Sequence, residues 1–516
     1  MGEQLEATVP ASVPVAPRAG RGFARPLDRF RHPALAAVVA WLEREAFLVV
    51  LLGIYLVGMG YDLPRQVVSD TWMTLAYGRE VVQHGLPSHD ALTVMAHGRT
   101  WVDQQWLGQL AYYGAFVLGG IRAVLALNAL ALASAAALAF VAARRLGGST
   151  RSVTWLALGS LFVIAGNTWV VRVQALVFPL FVALLWLLAA DSRNRSRKVF
   201  LAFPILVLWA NVHGTAFLGA GLVALRGLTM LLERDRPLRA RIPTATALLA
   251  SPVLLLASPY GLQAADYYHR LLLNPAFSKY VTEWAPTRLG IATTPFYLVA
   301  LLAAWLAGRC RSRLTLFEQG ALLFTLVLAW LAVRSVAWFM LSALVLLPVA
   351  LDGVLKRQWE SPRYRLVNRL LALPTPFICL WIFAGSFTHP VSSYTRDYPE
   401  GAANAVARVA AVEPGARVFA NERYADWLVL EHPELRGRIA FDGRFELLTT
   451  KELRRIIEFR FRIAGATSVT RGYELLVLNA STEKKLGKFL LASPSRHALY
   501  RNHVLVIRQP ANASAR

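Results

Sequence analysis

Residues 46–61 read AFLVVLLGIYLVGMGY, and residues 67–110 read VVSDTWMTLAYGREVVQHGLPSHDALTVMAHGRTWVDQQWLGQL. The first stretch has no formal charge and no period of two or of 3.6, so it is apolar all round and reads as a membrane span. The second carries Asp70, Asp90 and Asp103 with Trp72, Trp101 and Trp106 between them. Another apolar run begins at 107. The order span, acidic and aromatic loop, span decides the fold class: a polytopic membrane protein that holds carboxylates at one membrane face.

The rest of the chain agrees. Of 516 residues, 56% are hydrophobic, and the mean hydropathy is +0.43. The formal net charge is +24. In a soluble chain that excess would point to nucleic acid. Here the basic residues sit in short loops between apolar runs, where they act as topology signals and meet anionic headgroups, so membrane lipids and not nucleic acid are the expected partners. Cys310 lies in a basic loop and Cys379 in an apolar run. No disulfide and no metal-ligand spacing follows from that pair, so no cofactor is expected and a divalent metal is not indicated. Residues 1–33 are polar and contain Pro and Arg, as in a disordered cytoplasmic tail.

Apolar segments follow at 107–142, 153–170, 174–190, 199–212, 214–232, 243–257, 295–308, 316–332, 336–352 and 370–387. Every second connection is rich in Arg or Lys, as in DSRNRSRK, ERDRPLRAR, GRCRSR and LKRQWE, and those between are not. With Arg18, Arg21, Arg25, Arg29 and Arg31 ahead of the first span, the positive-inside rule predicts about eleven spans. The N-terminus is then cytoplasmic, the first outer loop covers 62–106, and the transmembrane domain covers 34–387. Residues 388–516 alternate strand-like and amphipathic helix-like runs and predict a small α/β domain outside the membrane with a mixed or parallel sheet. That domain has neither a G-x-G-x-x-G loop nor a P-loop, so nothing in it suggests a nucleotide.

The non-basic connections carry the candidate chemistry: Arg172 and Gln174, then Asn211 and His213, then Tyr260, Asp266, His269, Glu283 and Trp284, then Arg334. Ionisable groups at membrane depth face a cavity or a partner. Each has a plainer reading. Asp70 or Ser69 is a candidate N-cap for a helix that Gly85 stops. Asp90, after LPSH, suits a turn. Trp101 and Trp106 suit an interfacial belt, and Arg172 and Arg334 can snorkel. Arg334, in a very short turn against the positive-inside trend, is the stronger anion ligand.

These motifs together resemble the polytopic GT-C glycosyltransferases, and more closely a large bacterial group of membrane proteins with that architecture. Members of that group carry an aspartate followed by WWHLATGRWI, HG.IP..D.FS and W..HEWL. The matching residues here are DTWMTLAYGREVVQHGLPSHDALT and WVDQQWL, with WANVHG and Gly219, SPYG, EWAP and the C-terminal RIAFDGRFEL following in order. Met73 stands at the group's histidine and Gln105 at the acidic residue of HEWL. Asp103, two positions earlier, is placed to substitute.

The resemblance implies transfer of a sugar from a polyprenyl-phosphate carrier to an acceptor at the outer face of a bacterial inner membrane, with inversion. It assigns Asp70 as general base, with Asp103 as helper. Arg334, Arg172 and His213 go to the carrier phosphate, and Trp101, Trp106, Gln105, Tyr260, Glu283 and Trp284 to sugar or acceptor. Two other readings stand beside it: a polar-lipid transporter or flippase, and a non-catalytic envelope scaffold. A transporter predicts internal repeats and gating residues on the cytoplasmic side, and the sequence has neither.

Overall fold

The computed structural model describes residues 33–233, 237–273, 282–355, 364–462 and 466–510. The expected tail lies almost wholly outside them, and Pro33 already opens a helix, α1 (Pro33–Arg44). The following helices are α2 (Ala46–Asp62), α3 (Ser69–His84), α4 (Trp106–Arg145), α5 (Thr150–Thr168), α6 (Phe178–Arg193), α7 (Ala202–Val212), α8 (Ala216–Leu232), α9 (Leu238–Leu249) and α10 (Gln263–Leu273). Helices Thr294–Arg309, Leu316–Leu331, Val336–Leu346 and Pro374–Gly385 complete the bundle. Every expected apolar segment is therefore helical.

The expected count of about eleven spans does not follow from helix length. Among the described residues five helical stretches are long and apolar enough to cross a membrane: Ala46–Arg65, Trp106–Arg145, Val173–Arg193, Ile291–Arg309 and Leu366–Gly385. Four more are apolar but shorter. The segments 199–212 and 243–257 become helices of only 11 and 12 residues with 3-10 turns beside them. Conversely, α4 has 40 residues, about 60 Å at 1.5 Å per residue, twice a hydrocarbon core. It is broken at Gly119 and Gly120. Gly120 has φ +61, a left-handed turn that glycine adopts without steric penalty.

The helix ends alternate as the loop charges predict. At one end Arg144 pairs with Glu45, Arg193 with Glu318, and Arg226 with Asp191 and Glu233. At the other end Val171 N–H donates to the Gln66 carbonyl, Trp106 Nε1 to Asn211, and Val333 N–H to the Ala285 carbonyl. This second end carries the first loop and the C-terminal domain.

That domain is the expected mixed α/β unit. Four strands, β1 (Val418–Ala420), β2 (Leu475–Asn479), β3 (His497–Arg501) and β4 (Val504–Arg508), pair in the order β1-β2-β4-β3. Only β1 and β2 are parallel. The β1 edge is not left open, although an exposed edge invites unwanted pairing. Residues 438–440 bond to Val418 there, and the first loop adds a further row beyond them. Val94 and Met95 N–H donate to the Ile439 and Ala440 carbonyls at 2.8 and 2.9 Å, and Gly437 N–H to the Leu92 carbonyl at 3.0 Å. Loop and domain, distant in sequence, share one sheet.

Candidate active site

Helix α3 places Asp70. The Val68 N–H donates to Thr71 Oγ1 at 3.0 Å, so the start of α3 is held by a threonine hydroxyl. Neither Ser69 nor Asp70 is the N-cap. Asp70 lies in the first helical turn, where a carboxylate also favours the positive end of the helix dipole. Gly85 ends the helix with φ +81, as read from the sequence. The helix lies tightly on α4: a Cβ at Gly78 would sit 2.6 Å from the Gln109 carbonyl oxygen.

The Asp70 carboxylate is one-third exposed and meets Arg172 Nε at 2.6 Å. Arg172 Nη2 also reaches Glu283 Oε1 at 2.5 Å. One guanidinium thus ties together the first loop, the segment after α5 and the turn at Thr282–Trp284. The short turn Val333–Ser335 brings Arg334 alongside, with its guanidinium over the Trp284 ring at 4.7 Å. A cavity of about 80 Å³ opens among them, lined by Thr168, Arg172, Gln174, Glu283, Arg334 and apolar side chains including Phe178. Among the described residues Arg334 has no carboxylate partner, whereas Arg172 has two.

Five of the candidate residues therefore meet: Asp70, Arg172, Glu283, Trp284 and Arg334. Glu283 pairs with Arg172 and lines the cavity. His213 is buried close by. Its Nδ1 is engaged by the Thr215 N–H at 3.1 Å and lies 2.9 Å from the Thr215 hydroxyl. Burial first, then the charges of Arg334 and Arg172, push the imidazole down to about 3. It is neutral at pH 7 and brings no positive charge to an anion.

The other candidates are used elsewhere. Trp101 is 3% exposed, edge-on to Tyr77 at 5.2 Å and under Arg444 at 4.1 Å. Trp106 donates to Asn211, and Tyr260 donates to the Pro87 carbonyl at 2.9 Å. Gln105 occupies the residue before α4. Asp103 is buried and accepts from Gln109 Nε2 at 2.8 Å. Burial pushes its carboxyl up to about 7, against the pull of Gln109 and the Gln105 backbone. Asp90 closes a turn, accepting from the Leu92 and Thr93 N–H groups and the Thr93 hydroxyl.

Sequence reasoning quoted the DGR segment but missed its residues. Arg444 reaches from the C-terminal domain to Asp90 at 2.6 Å and to its own neighbour Asp442. Glu446, two residues on, is pushed up to about 7 by burial, with Asp442 and Asp103 adding to the rise. No spacing rule joins position 90 to position 444. Only the order of the motifs hinted at the link.

No known family matches the sequence, and no curated protein does. Among solved structures the chain is similar to the archaeal oligosaccharyltransferase AglB of Archaeoglobus fulgidus. One such structure is tethered by a disulfide to an acceptor peptide with the NVT sequon. It is 11% identical, with a TM-score of 0.51 over 85% of this chain and 70% of that one. Another is in complex with an inhibitory peptide and a dolichol-phosphate. It is 12% identical, with a TM-score of 0.50 over the same shares of the two chains. At this identity the likeness speaks for the backbone and not for the residues of the site. The chain shares the fold of this archaeal membrane protein.

Proposed function

We propose that this protein transfers a sugar from a polyprenyl-phosphate carrier to an acceptor hydroxyl, at the face of the membrane that bears the first loop and the C-terminal domain. In this reading that face is the outer one and the N-terminus is cytoplasmic. The observation that carries the reading is Arg334: a guanidinium beside a cavity, set over the Trp284 ring and, among the described residues, in no ion pair, next to an arginine that has two. An unpaired arginine is the natural partner of a phosphate. The charges of Asp70, Glu283, Arg172 and Arg334 balance. One further anion at Arg334 suits a singly charged phosphodiester better than a diphosphate.

Asp70 takes the acceptor proton while the acceptor oxygen attacks the anomeric carbon. The bond from that carbon to the phosphate oxygen breaks on the far side, and the carrier leaves as its phosphate. This is a single displacement with inversion. Arg334 stabilises the charge that develops on the leaving oxygen.

The test is incubation of the purified protein, in detergent or vesicles, with a panel of polyprenyl-phosphate sugars. Release of the carrier phosphate supports the reading. Movement of intact donor across the vesicle without release identifies a transporter instead.

A further inference from the structure

The C-terminal domain touches the helix that carries Asp70, and one side chain concentrates that contact. We propose that Arg444 is a positioning residue: through the rings of Tyr77 and Trp101 it sets the placement of α3, and so of Asp70 beside Arg172. The proposal rests on the reading of Asp70 as the base.

Arg444 is 4% exposed. Its edge is engaged by carboxylates: Nη2 donates to Asp90 at 2.6 Å and Nε to Asp442 at 3.0 Å. Two rings that meet edge-to-face lie against its guanidinium, Trp101 at 4.1 Å and Tyr77 at 4.7 Å from the guanidinium carbon. Both rings belong to the first loop. Tyr77 is seven residues beyond Asp70 on the same helix, so the two lie on one face about two turns apart. A tilt of α3 at Tyr77 is therefore delivered to Asp70, and reactions of this kind are sensitive to misplacement on the scale of an ångström.

Arg444 is one of several ties between the domain and the first loop. The backbone bonds from Val94 and Met95 to Ile439 and Ala440 do not involve it. Nor does the pair of Arg436 with Glu80 at 2.6 Å, nor do the bonds from Arg79 to the Val429 and Leu430 carbonyls. What Arg444 alone supplies is a rigid, planar cation packed against both rings. A lysine keeps the charge opposite Asp90 and Asp442 but has neither the fork nor the flat face.

The experiment compares Arg444→Lys, Tyr77→Leu and the double variant with wild type, using whichever donor wild-type protein turns over. Tyr77→Leu removes the α3 side of the contact, together with the hydroxyl that faces Asp442. Each single variant is expected to lower kcat at least tenfold with donor KM within about twofold. The double variant should be no worse than the weaker single one, because the two changes break one path. Amide exchange at residues 69–77 should quicken in both, while β2 and β4 stay as protected as in wild type. Unchanged kcat, a loss confined to KM, or losses that multiply in the double variant would overturn the proposal. If wild-type protein turns over no donor, the reading of the site fails instead. The exchange data then decide the clamp alone, and unchanged exchange at residues 69–77 sinks it.

Discussion

Two clusters of arginine and carboxylate sit at opposite ends of the helical bundle, and they are built differently. At the end with the basic loops, Arg226 is 0% exposed. It bonds to Asp191 at 2.8 Å and to Glu233 at 2.6 Å, and Glu233 is shared with Arg195. Every charge there is answered within the chain. At the other end Asp70, Arg172 and Glu283 are about one-third exposed, and Arg334 rests on a ring instead of an acid. Burial with complete pairing is what an architectural network needs, because an uncompensated charge in low dielectric is costly. Partial exposure with one arginine outside the ion pairs is what a site for an external anion needs. The same residue types serve both ends, and the pairing separates the roles.

The comparison can be broken at either end. The largest effect is expected from Arg226→Ala, which strands Asp191 and Glu233. Loss of one member of such a buried network costs about 3–5 kcal/mol. Thermal unfolding in detergent should show a much less stable protein, while donor affinity of the folded fraction stays as in wild type. Wild-type stability would erase the architectural half of the contrast.

Next comes Asp70→Asn. Asparagine has the same shape and suits a helix start, so stability should barely change. Carrier release should fall by roughly a hundredfold or more, the scale of a lost general base. If Asp70→Asn keeps its rate and Asp103→Asn loses it, the base is the buried carboxyl near Arg444, and the exposed pair is only a strut.

Arg334→Ala should weaken donor binding about tenfold or more, as for a lost charge-assisted hydrogen bond. Arg334→Lys should recover part of that. Equal affinity in all three proteins would show that the unpaired cation binds no phosphate.

The smallest effect is a pH slope. Asp103 holds its proton in the folded state up to about pH 7, well above an ordinary carboxylate. A raised carboxyl pKa stabilises the fold at low pH, and that contribution drains away as pH rises from about 4 to 7. Asp103→Asn should flatten this part of the stability profile. Glu446, also pushed up to about 7, should leave a residual slope of the same sign.

Much of the architecture was legible in advance, and the reason is local. Apolar runs must avoid water wherever they lie, and basic loops sort to one side one loop at a time. So each expected segment is a helix, and the basic ends gather at one end of the bundle. Span number was less legible. Whether 11 residues in α7 cross a membrane, or 40 in α4 cross once around a kink, depends on neighbours and not on composition. The mixed sheet after residue 388 was legible as alternation. That residues 92–95 of the first loop extend it was not, because backbone pairing leaves no mark on side-chain type.

The site divides in the same way. The sequence alone determined which residues were unusual for a membrane face: Asp70, Arg172, Glu283 and Arg334 stood out because ionisable groups there need a partner or a cavity. Only the tertiary structure decided which of them share a cavity, that Arg172 is already paired twice, and that Trp101 lies under Arg444. It also decided that His213 is neutral, by burying it beside two arginines. Burial, charge and pairing at a residue are set by whatever the fold brings near it. Those neighbours lie as far as 356 positions away along the chain, as Arg436 and Glu80 do, where no spacing in the sequence can record them.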